Sequence, residues 1–322
     1  MTVPFRLYDG VSELDPTIRA AWLANIPPWR RTGPPWAERT DRCKRGPPAM
    51  RPEQLARAET WVVPTELVCE RVNMALHLRR PLLVSGDPGL GKTSLGWSIA
   101  RCLGLGPPLR WEVNSRTTLE DGLHSYDAVG HLQDTKAGGG KSLAAFITLG
   151  PLGTALLPTE LPRVLIVDEL DKSSYDLPND LLHVFEEGQF TVPALVREAG
   201  PASVSPWDPA GDRVDVTDGV ARTVHHPVVV ITTNRDREFP DAFMRRCVTL
   251  PLDRPDPTKM AAILAGWLKA GAGTPAEIDA FVAQYPTDMT DVLLQALFLT
   301  RSAGGDPTKI VPALRRGGGT PG

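Results

Sequence analysis

The chain has few cysteines and lacks any long apolar run. Only 4 of its 322 residues are cysteine. They lie far apart without a CxxC pair, and the 6 histidines have no metal-ligand spacing. This pattern argues against a disulfide framework or a zinc site and is typical of reduced cytoplasmic thiols. No apolar run approaches the ~18 residues of a membrane span, and no secretory signal is visible. We therefore expect a cytoplasmic protein without a membrane span.

The chain also lacks an excess of basic charge. Lysine and arginine number 35 against 38 aspartates and glutamates, which gives a net charge of -3. Proteins that bind nucleic-acid phosphates usually carry a basic excess. The composition therefore does not predict a nucleic-acid partner. The length predicts two domains, at about 100–200 residues each.

Residues 1–55 are rich in proline, arginine and tryptophan and show no helical or strand periodicity. Such a segment predicts an extended N-terminal arm. Trp29 and Trp36 each follow a Pro-Pro pair. They either anchor a partner surface, as interface aromatics often do, or pack the arm against its own domain.

Residues 56–256 alternate between short apolar strands and helical stretches, which predicts an α/β domain with a parallel five-stranded sheet. Residues 190–226 interrupt this alternation and resemble a β-hairpin insertion. Residues 257–322 are predicted to form a small α-helical domain with a frayed tail. The predicted strands are Pro81–Ser85, Leu109–Val113, Arg163–Glu169, one ending at Asn234 and one ending near Leu252.

A glycine-rich loop, GDPGLGKT, joins the first predicted strand to a helix. The pattern of a glycine, four residues and Gly-Lys-Thr is that of a phosphate-binding loop. Its glycines let backbone N–H groups point at phosphate oxygens, and the following helix adds its positive end. Lys92 would reach the outer phosphates of ATP, and Thr93 would bind Mg²⁺. The predicted nucleotide-binding residues are Gly86, Asp87, Pro88, Gly89, Leu90, Gly91, Lys92, Thr93 and Ser94.

Polar residues follow two further apolar strands. Asp168 and Glu169 end VLIVDE, and Asn234 ends VVVITTN. At the carboxyl edge of a parallel sheet, Asp168 would hold Mg²⁺ and Glu169 would accept a proton from the attacking water. Asn234 would orient that water. Arg245 and Arg246 follow in FMRRC and are either a solvated edge or an arginine finger that reaches a neighbouring subunit.

The ordered motifs GDPGLGKT, VLIVDELDK, FEEGQFTVP, VVVITTN and FPDAFMRRC resemble the MoxR-like branch of the AAA+ ATPases. The resemblance implies a P-loop NTPase core with a helical lid, bound ATP and Mg²⁺, and a homo-oligomeric, hexameric ring. It further implies Walker A at the glycine loop, Walker B at Asp168 and Glu169, and sensor 1 at Asn234. Arg246 best matches the arginine finger and Arg245 is second. Asn114 matches a position from which some members hold the catalytic glutamate in a resting pose.

The resemblance also implies a chaperone-like function on a separate protein partner, often one with a von Willebrand factor A domain. One departure concerns the lid, where Asp291 stands in place of the sensor 2 arginine and Arg301 lies further along. Three functions stay open. They are an ATP-hydrolysing remodeler, a slow nucleotide-switched assembly platform, and a nucleic-acid motor, which the acidic balance of the insertion disfavours.

Overall fold

The computed structural model describes residues 2–30, 47–59, 65–197, 200–208, 213–268 and 273–316. Trp36 and the end of the predicted tail lie outside these residues. The strands within these ranges are β1 (Leu82–Ser85), β2 (Leu109–Glu112), β3 (His124–Tyr126), β4 (Ile147–Leu149), β5 (Val164–Asp168), β6 (Gln189–Thr191), β7 (Pro201–Val204), β8 (Val214–Thr217), β9 (Val220–Arg222), β10 (Val228–Thr233) and β11 (Val248–Pro251).

The helices come before, between and after these strands. They are α1 (Pro16–Ala24), α2 (Pro52–Glu59), α3 (Glu66–Leu78), α4 (Lys92–Cys102), α5 (Leu119–Leu123), α6 (Ala128–Lys136), α7 (Pro151–Ala155), α8 (Leu177–Glu187), α9 (Pro193–Val196), α10 (Asp241–Met244), α11 (Pro257–Leu268), α12 (Pro275–Gln284), α13 (Thr290–Ala303) and α14 (Pro307–Arg316). No helix among the described residues is long and apolar enough to cross a membrane.

Five parallel strands form the central sheet in the order β11-β1-β10-β5-β2. β5 is buried along its whole length and is built from apolar residues before Asp168. Parallel strands covered on both faces have this continuous apolar character. The predicted α/β fold class with a parallel five-stranded sheet is therefore confirmed. Because the strands run in one direction, the residues after β1, β10 and β5 meet at one edge.

Successive residues of β5 pack into different clusters, as the period of two along a strand requires. Leu165 and Val167 pack in a hydrophobic cluster that also contains residues of β6, β7 and β8. Val164 packs in a second cluster, which contains Tyr8 and Trp22 of the N-terminal segment. Ile166 faces α4, where its Cδ1 would lie 2.6 Å from a Cβ added to Gly96. This close approach seats the helix after the glycine loop directly on β5.

The N-terminal segment differs from the extended arm that the composition predicts. Tyr8 and Trp22 are fully buried and pack with α3 and β1. The Tyr8 hydroxyl lies 2.9 Å from the Ser98 hydroxyl of α4, and Asn73 of α3 accepts from the Tyr8 backbone N–H. Leu7, Tyr8, Trp22 and Leu23 are therefore part of the core. Trp29, by contrast, is 66% exposed, so it does not pack against its own domain.

The predicted hairpin insertion is a larger element, a four-stranded antiparallel sheet in the order β6-β9-β8-β7. Its β8–β9 turn consists of Asp218 and Gly219, with φ of 52° and 69°. Two consecutive positive φ angles match the right-handed twist of a hairpin, and Asp-Gly adopts them readily. A second pair, β3 and β4, comes from the stretch between β2 and β5.

The C-terminal residues form the predicted helical unit, with a hydrophobic cluster of their own from α11 to α14. The fourth helix, α14, was not predicted because Pro312 lies inside it. Proline normally interrupts a helix interior. Here α14 packs through the fully buried Val311.

We expect Trp22→Ala to destabilise the protein by about 3–5 kcal/mol, as truncation of buried aromatics does. Trp22 donates to the Leu76 carbonyl at 3.2 Å, and the Arg79 guanidinium stacks 3.9 Å from its ring centre. Trp29→Ala is the matched control, because the exposed Trp29 ring should contribute less than about 0.5 kcal/mol. Urea unfolding of both variants measures the difference. Equal stabilities would show that the N-terminal segment is not part of the cooperative fold.

Candidate active site

The glycine loop runs from the end of β1 to the start of α4. Gly91 caps α4 with φ of 78°, a left-handed conformation that glycine adopts without strain. Gly86 follows β1 so tightly that an added Cβ would lie 2.6 Å from the Leu252 carbonyl oxygen. The loop geometry therefore depends on glycine at both positions, as the motif predicts.

Lys92 begins α4 and folds back over the loop. Its ammonium donates to the carbonyls of Gly86 and Asp87 at 2.7 and 2.8 Å. Burial lowers the pKa of Lys92, and the carboxylates of Asp171 and Asp168 oppose that shift. The side chain thus presents a positive charge inside the loop, which phosphate oxygens would satisfy.

Asp168 ends β5 and is only 5% exposed. Its Oδ1 accepts from the Thr93 hydroxyl at 2.9 Å and from the Thr232 hydroxyl at 2.6 Å. Thr93 belongs to α4 and Thr232 to β10, so one carboxylate joins three elements. The two predicted metal ligands, Thr93 and Asp168, are in direct contact.

Arg110 of β2 is a site residue that the sequence analysis missed. Its Nε and Nη2 donate to Asp168 Oδ2 at 2.9 and 2.6 Å, and its Nη1 lies 2.8 Å from Glu112. Glu112 pairs with Asp168 in the β2–β5 register. Arg110 is two residues before Glu112, so all three side chains share one face of the sheet. A charged side chain inside an apolar strand, LRWEV, was the available signal.

Glu169 follows β5 with φ of 58°, which is unusual for a residue other than glycine. Its backbone N–H donates to Thr232 Oγ1 at 2.9 Å. Its carboxylate pairs with Lys172 at 2.6 Å and accepts from the Asn234 side chain at 3.4 Å. Strained backbone of this kind is concentrated at functional sites, where it directs a side chain.

Asn114 does not hold Glu169 in this structure. Its side chain instead accepts from the backbone N–H of Arg116 at 2.9 Å. Asn114 lines a separate cavity of about 620 Å³ with Trp111 and Trp207. The contact predicted between Asn114 and Glu169 is therefore replaced by the contacts from Lys172 and Asn234.

Asn234 is positioned through its backbone by Asp171, another residue that the sequence analysis missed. The Asp171 carboxylate accepts from the N–H groups of Asn234 and Asp236 at 2.8 and 3.2 Å. Asp171 is 5% exposed. The buried carboxylate thus fixes the turn after β10, and its presence in VDELDK was the sequence signal.

Seven of the nine predicted loop residues, Pro88 to Ser94, line one cavity of about 390 Å³ together with Asp168, Glu169 and Asn234. Gly86 and Asp87 do not line it, and their carbonyls accept from Lys92 instead. The larger cavity at Asn114 contains neither the glycine loop nor Asp168 and Glu169. The helical unit contributes Ile263, Thr290, Asp291 and Leu294 to its lining, and α2 contributes Arg57. Asp291 Oδ1 would lie 3.2 Å from a Cβ added to Gly89, so a carboxylate stands beside the loop.

Neither Arg245 nor Arg246 lines this cavity. Arg246 forms an ion pair with Glu186 of α8 and donates to the Ala242 carbonyl at 3.2 Å. The Arg245 carbonyl accepts from Arg80 at 3.3 Å. If either arginine contacts nucleotide, the nucleotide must belong to another copy of the chain.

The residues of the cavity fit a magnesium nucleotide. Hydroxyl and carboxylate oxygens are the ligands that Mg²⁺ prefers, and Mg²⁺ usually binds through one or two of them together with substrate phosphates and water. The 2.9 Å contact between Thr93 and Asp168 brings such oxygens together. Among the described residues, no group of three or more histidine, cysteine, aspartate or glutamate side chains forms a separate metal cluster.

No family model matches the sequence, and a search of curated proteins finds no match. Solved structures do show similarity. Domain III of the Thermotoga maritima replication initiation protein DnaA is 18% identical, with a TM-score of 0.43, over 83% of this chain and 98% of that chain. A point mutant of Thermotoga maritima RuvB is 16% identical, with a TM-score of 0.41, over 73% of this chain and 60% of that chain. At these values the similarities do not indicate a function.

We expect Asp171→Ala to cost about 1–3 kcal/mol, because two backbone N–H groups lose their acceptor. The turn at residues 234–236 should then open more often. Hydrogen exchange of this peptide, followed by mass spectrometry, should be faster, and urea unfolding should show the lower stability. Asp236→Ala is the control, because the Asp236 side chain is exposed and its loss takes no acceptor from the turn. Unchanged exchange in Asp171→Ala would contradict the positioning role.

Proposed function

We propose that this protein is an AAA+ ATPase that hydrolyses ATP with Mg²⁺, acting as a MoxR-like ring on a protein partner. The observation that supports the proposal most is a single cavity lined by Lys92, Thr93, Asp168, Glu169 and Asn234. These residues come from the ends of β1, β5 and β10, which are adjacent in the sheet. Ligands of open α/β sheets bind at this edge.

Each side chain has a distinct task in the proposed reaction. The loop N–H groups and Lys92 hold the phosphates, while Thr93 and Asp168 hold the metal. A Mg²⁺ ion held there would supply positive charge against the charge that develops on the phosphates. Glu169 accepts a proton from the attacking water, and Asn234, 3.4 Å from its carboxylate, orients that water.

Lys172 bears on the rate of this reaction. The 2.6 Å ion pair between Lys172 and Glu169 occupies the carboxylate that is to act as the base. Lys172 donates to Glu169 Oε2 and Asn234 donates to Oε1, so both carboxylate oxygens are engaged by protein donors. Glu169 must therefore separate from Lys172 before turnover, and an ATPase that keeps this contact is slow.

The helical unit of α11 to α14 supports a second candidate function, a nucleotide-switched assembly platform. Arg301 pairs with Glu277 at 2.9 Å and does not line the cavity, where α13 presents Asp291 instead. Besides Arg110, the guanidinium that lines the cavity is that of Arg57 of α2, which lies 5.0 Å from the Trp97 ring centre. Because α13 contributes no arginine here, nucleotide can bind through the glycine loop while turnover, which lacks that cation, is slow.

A protein partner remains our leading proposal for the ring. Two aromatic side chains, those of Trp29 and Trp207, are 66% and 53% exposed. Trp207 lies in the insertion between β7 and β8. Exposed tryptophans are frequent anchors of protein interfaces. A separate partner with a von Willebrand factor A domain fits this proposal.

Glu169→Gln should bind ATP with nearly unchanged affinity and hydrolyse it at least ~100-fold more slowly, since removal of a general base costs this much. Lys92→Ala should instead lose binding, because the loop loses its charge. Fluorescent-nucleotide binding and phosphate release measure the two effects separately. Undiminished turnover in Glu169→Gln would remove Glu169 from the mechanism. Normal ATP affinity in Lys92→Ala would contradict the assignment of the loop.

Arg246→Ala should be inactive alone yet recover when mixed with Glu169→Gln, if the arginine acts on the neighbouring subunit. In a mixed ring, a site is complete when an Arg246→Ala subunit faces a Glu169→Gln neighbour, so about a quarter of sites become active. ATPase assays over mixing ratios measure the recovery.

A mixture of Glu169→Gln with Lys92→Ala is the control, because neither subunit then has a complete site of its own. Arg245→Ala, mixed in the same way, identifies which arginine acts. No recovery with either arginine variant would rule out the trans role.

A further inference from the structure

We propose that Arg110 is a built-in cation that competes with Mg²⁺ for Asp168 and moves toward Glu112 when the metal binds. The inference rests on the proposed nucleotide function and deepens it. Under this proposal, Arg110 determines how strongly nucleotide binding depends on the metal.

The first observation is that the Asp168 carboxylate is fully engaged. A carboxylate has about four lone-pair sites. Asp168 accepts from Thr93 and Thr232 on Oδ1 and twice from Arg110 on Oδ2. A metal, or a water on that metal, can reach this carboxylate only if one donor leaves. Arg110 is the one charged donor among the three residues.

The second observation concerns charge. Asp168 is buried, and the Arg110 Nη2–Oδ2 distance is 2.6 Å. A divalent cation held by the same carboxylate would lie within a few ångströms of the guanidinium. Like charges at such separation, away from bulk water, repel strongly. The guanidinium and the metal therefore exclude one another at Asp168.

The third observation is a second acceptor that is already in place. Arg110 Nη1 lies 2.8 Å from Glu112 Oε1, and the Glu112 side chain is 72% exposed. β2 is the last strand of the sheet, so no further strand covers its outer side. The Arg110 side chain itself is 40% exposed. It can thus leave Asp168 by rotating outward and keep its ion pair with Glu112.

A purely structural contact is the competing interpretation. Arg110 could simply tie the edge strand β2 to β5. In that case its removal would lower stability but would leave the metal dependence of nucleotide binding unchanged. The two interpretations differ in a binding measurement that does not depend on turnover.

The test is a titration of a fluorescent ATP analogue, once in EDTA and once with graded Mg²⁺. In Arg110→Gln, Asp168 loses its counter-charge, so binding in EDTA should weaken by about tenfold. The Mg²⁺ concentration for half-maximal binding should fall by about tenfold, because the metal no longer competes. Arg116→Gln is the control, since this exposed arginine follows the same strand and lines only the neighbouring cavity.

Glu112→Gln provides an independent test at an exposed position that is not expected to affect folding. It removes the negative charge of the second acceptor, so Arg110 should stay on Asp168 and the half-maximal Mg²⁺ concentration should rise about threefold. In the double variant Arg110→Gln/Glu112→Gln, the substitution at Glu112 should have no further effect. Additive effects would instead show that Glu112 acts on the metal without Arg110.

The outcomes separate the two proposals. Metal-dependent binding by the unsubstituted protein, with unchanged Mg²⁺ dependence in Arg110→Gln, would overturn the role of Arg110 and leave the nucleotide site intact. An equal shift in Arg116→Gln would also overturn it. No nucleotide binding by the unsubstituted protein at any Mg²⁺ concentration would overturn both. Opposite shifts in Arg110→Gln and Glu112→Gln would establish the competition.

Discussion

The buried carboxylate of Asp168 is the group on which the rest of the site depends. It accepts from Thr93 at the start of α4, from Thr232 of β10 and from Arg110 of β2. A buried charge is tolerated only when it is paired and hydrogen-bonded. Its desolvation thus forces three separate elements toward one point. The Thr232 hydroxyl extends this hydrogen-bond network, because it also accepts from the backbone N–H of Glu169.

The order of the strands brings the segments around this contact together. β10 lies between β1 and β5, so the turn that carries Asn234 stands between the glycine loop and the acidic residues. Asp171 holds that turn through the backbone of Asn234, and Thr232 holds the backbone of Glu169. Both polar side chains are therefore positioned by backbone contacts. Backbone restraint of this kind keeps the site ordered while leaving the functional side-chain atoms available.

Much of the site could be predicted because its motifs are local. The glycine loop and the polar residues after apolar strands are each contained in a few consecutive residues. Arg110 and Asp171 were missed because their roles depend on strand register and on contacts between distant segments. The buried Trp22 was missed for a similar reason, since a proline- and arginine-rich composition does not reveal which aromatic side chain meets α3. Proline at position 312 disfavours a helix, yet α14 forms there because the packing of Val311 outweighs the low helix propensity of proline.

The signs of charge in the cavity bear on the proposed role of the metal. Lys92, Arg57 and Arg110 face it together with Asp168, Glu169 and Asp291. In the proposed function, a triphosphate that enters without metal would meet the Asp291 carboxylate beside Gly89. Bound Mg²⁺ offsets two of the negative charges of the nucleotide and so reduces this repulsion. The lid carboxylate and the Arg110–Asp168 pair therefore act in opposite ways on metal-free nucleotide. Asp291 disfavours it, whereas Arg110 neutralises Asp168 and favours it, so the balance between them sets the nucleotide form that this site selects.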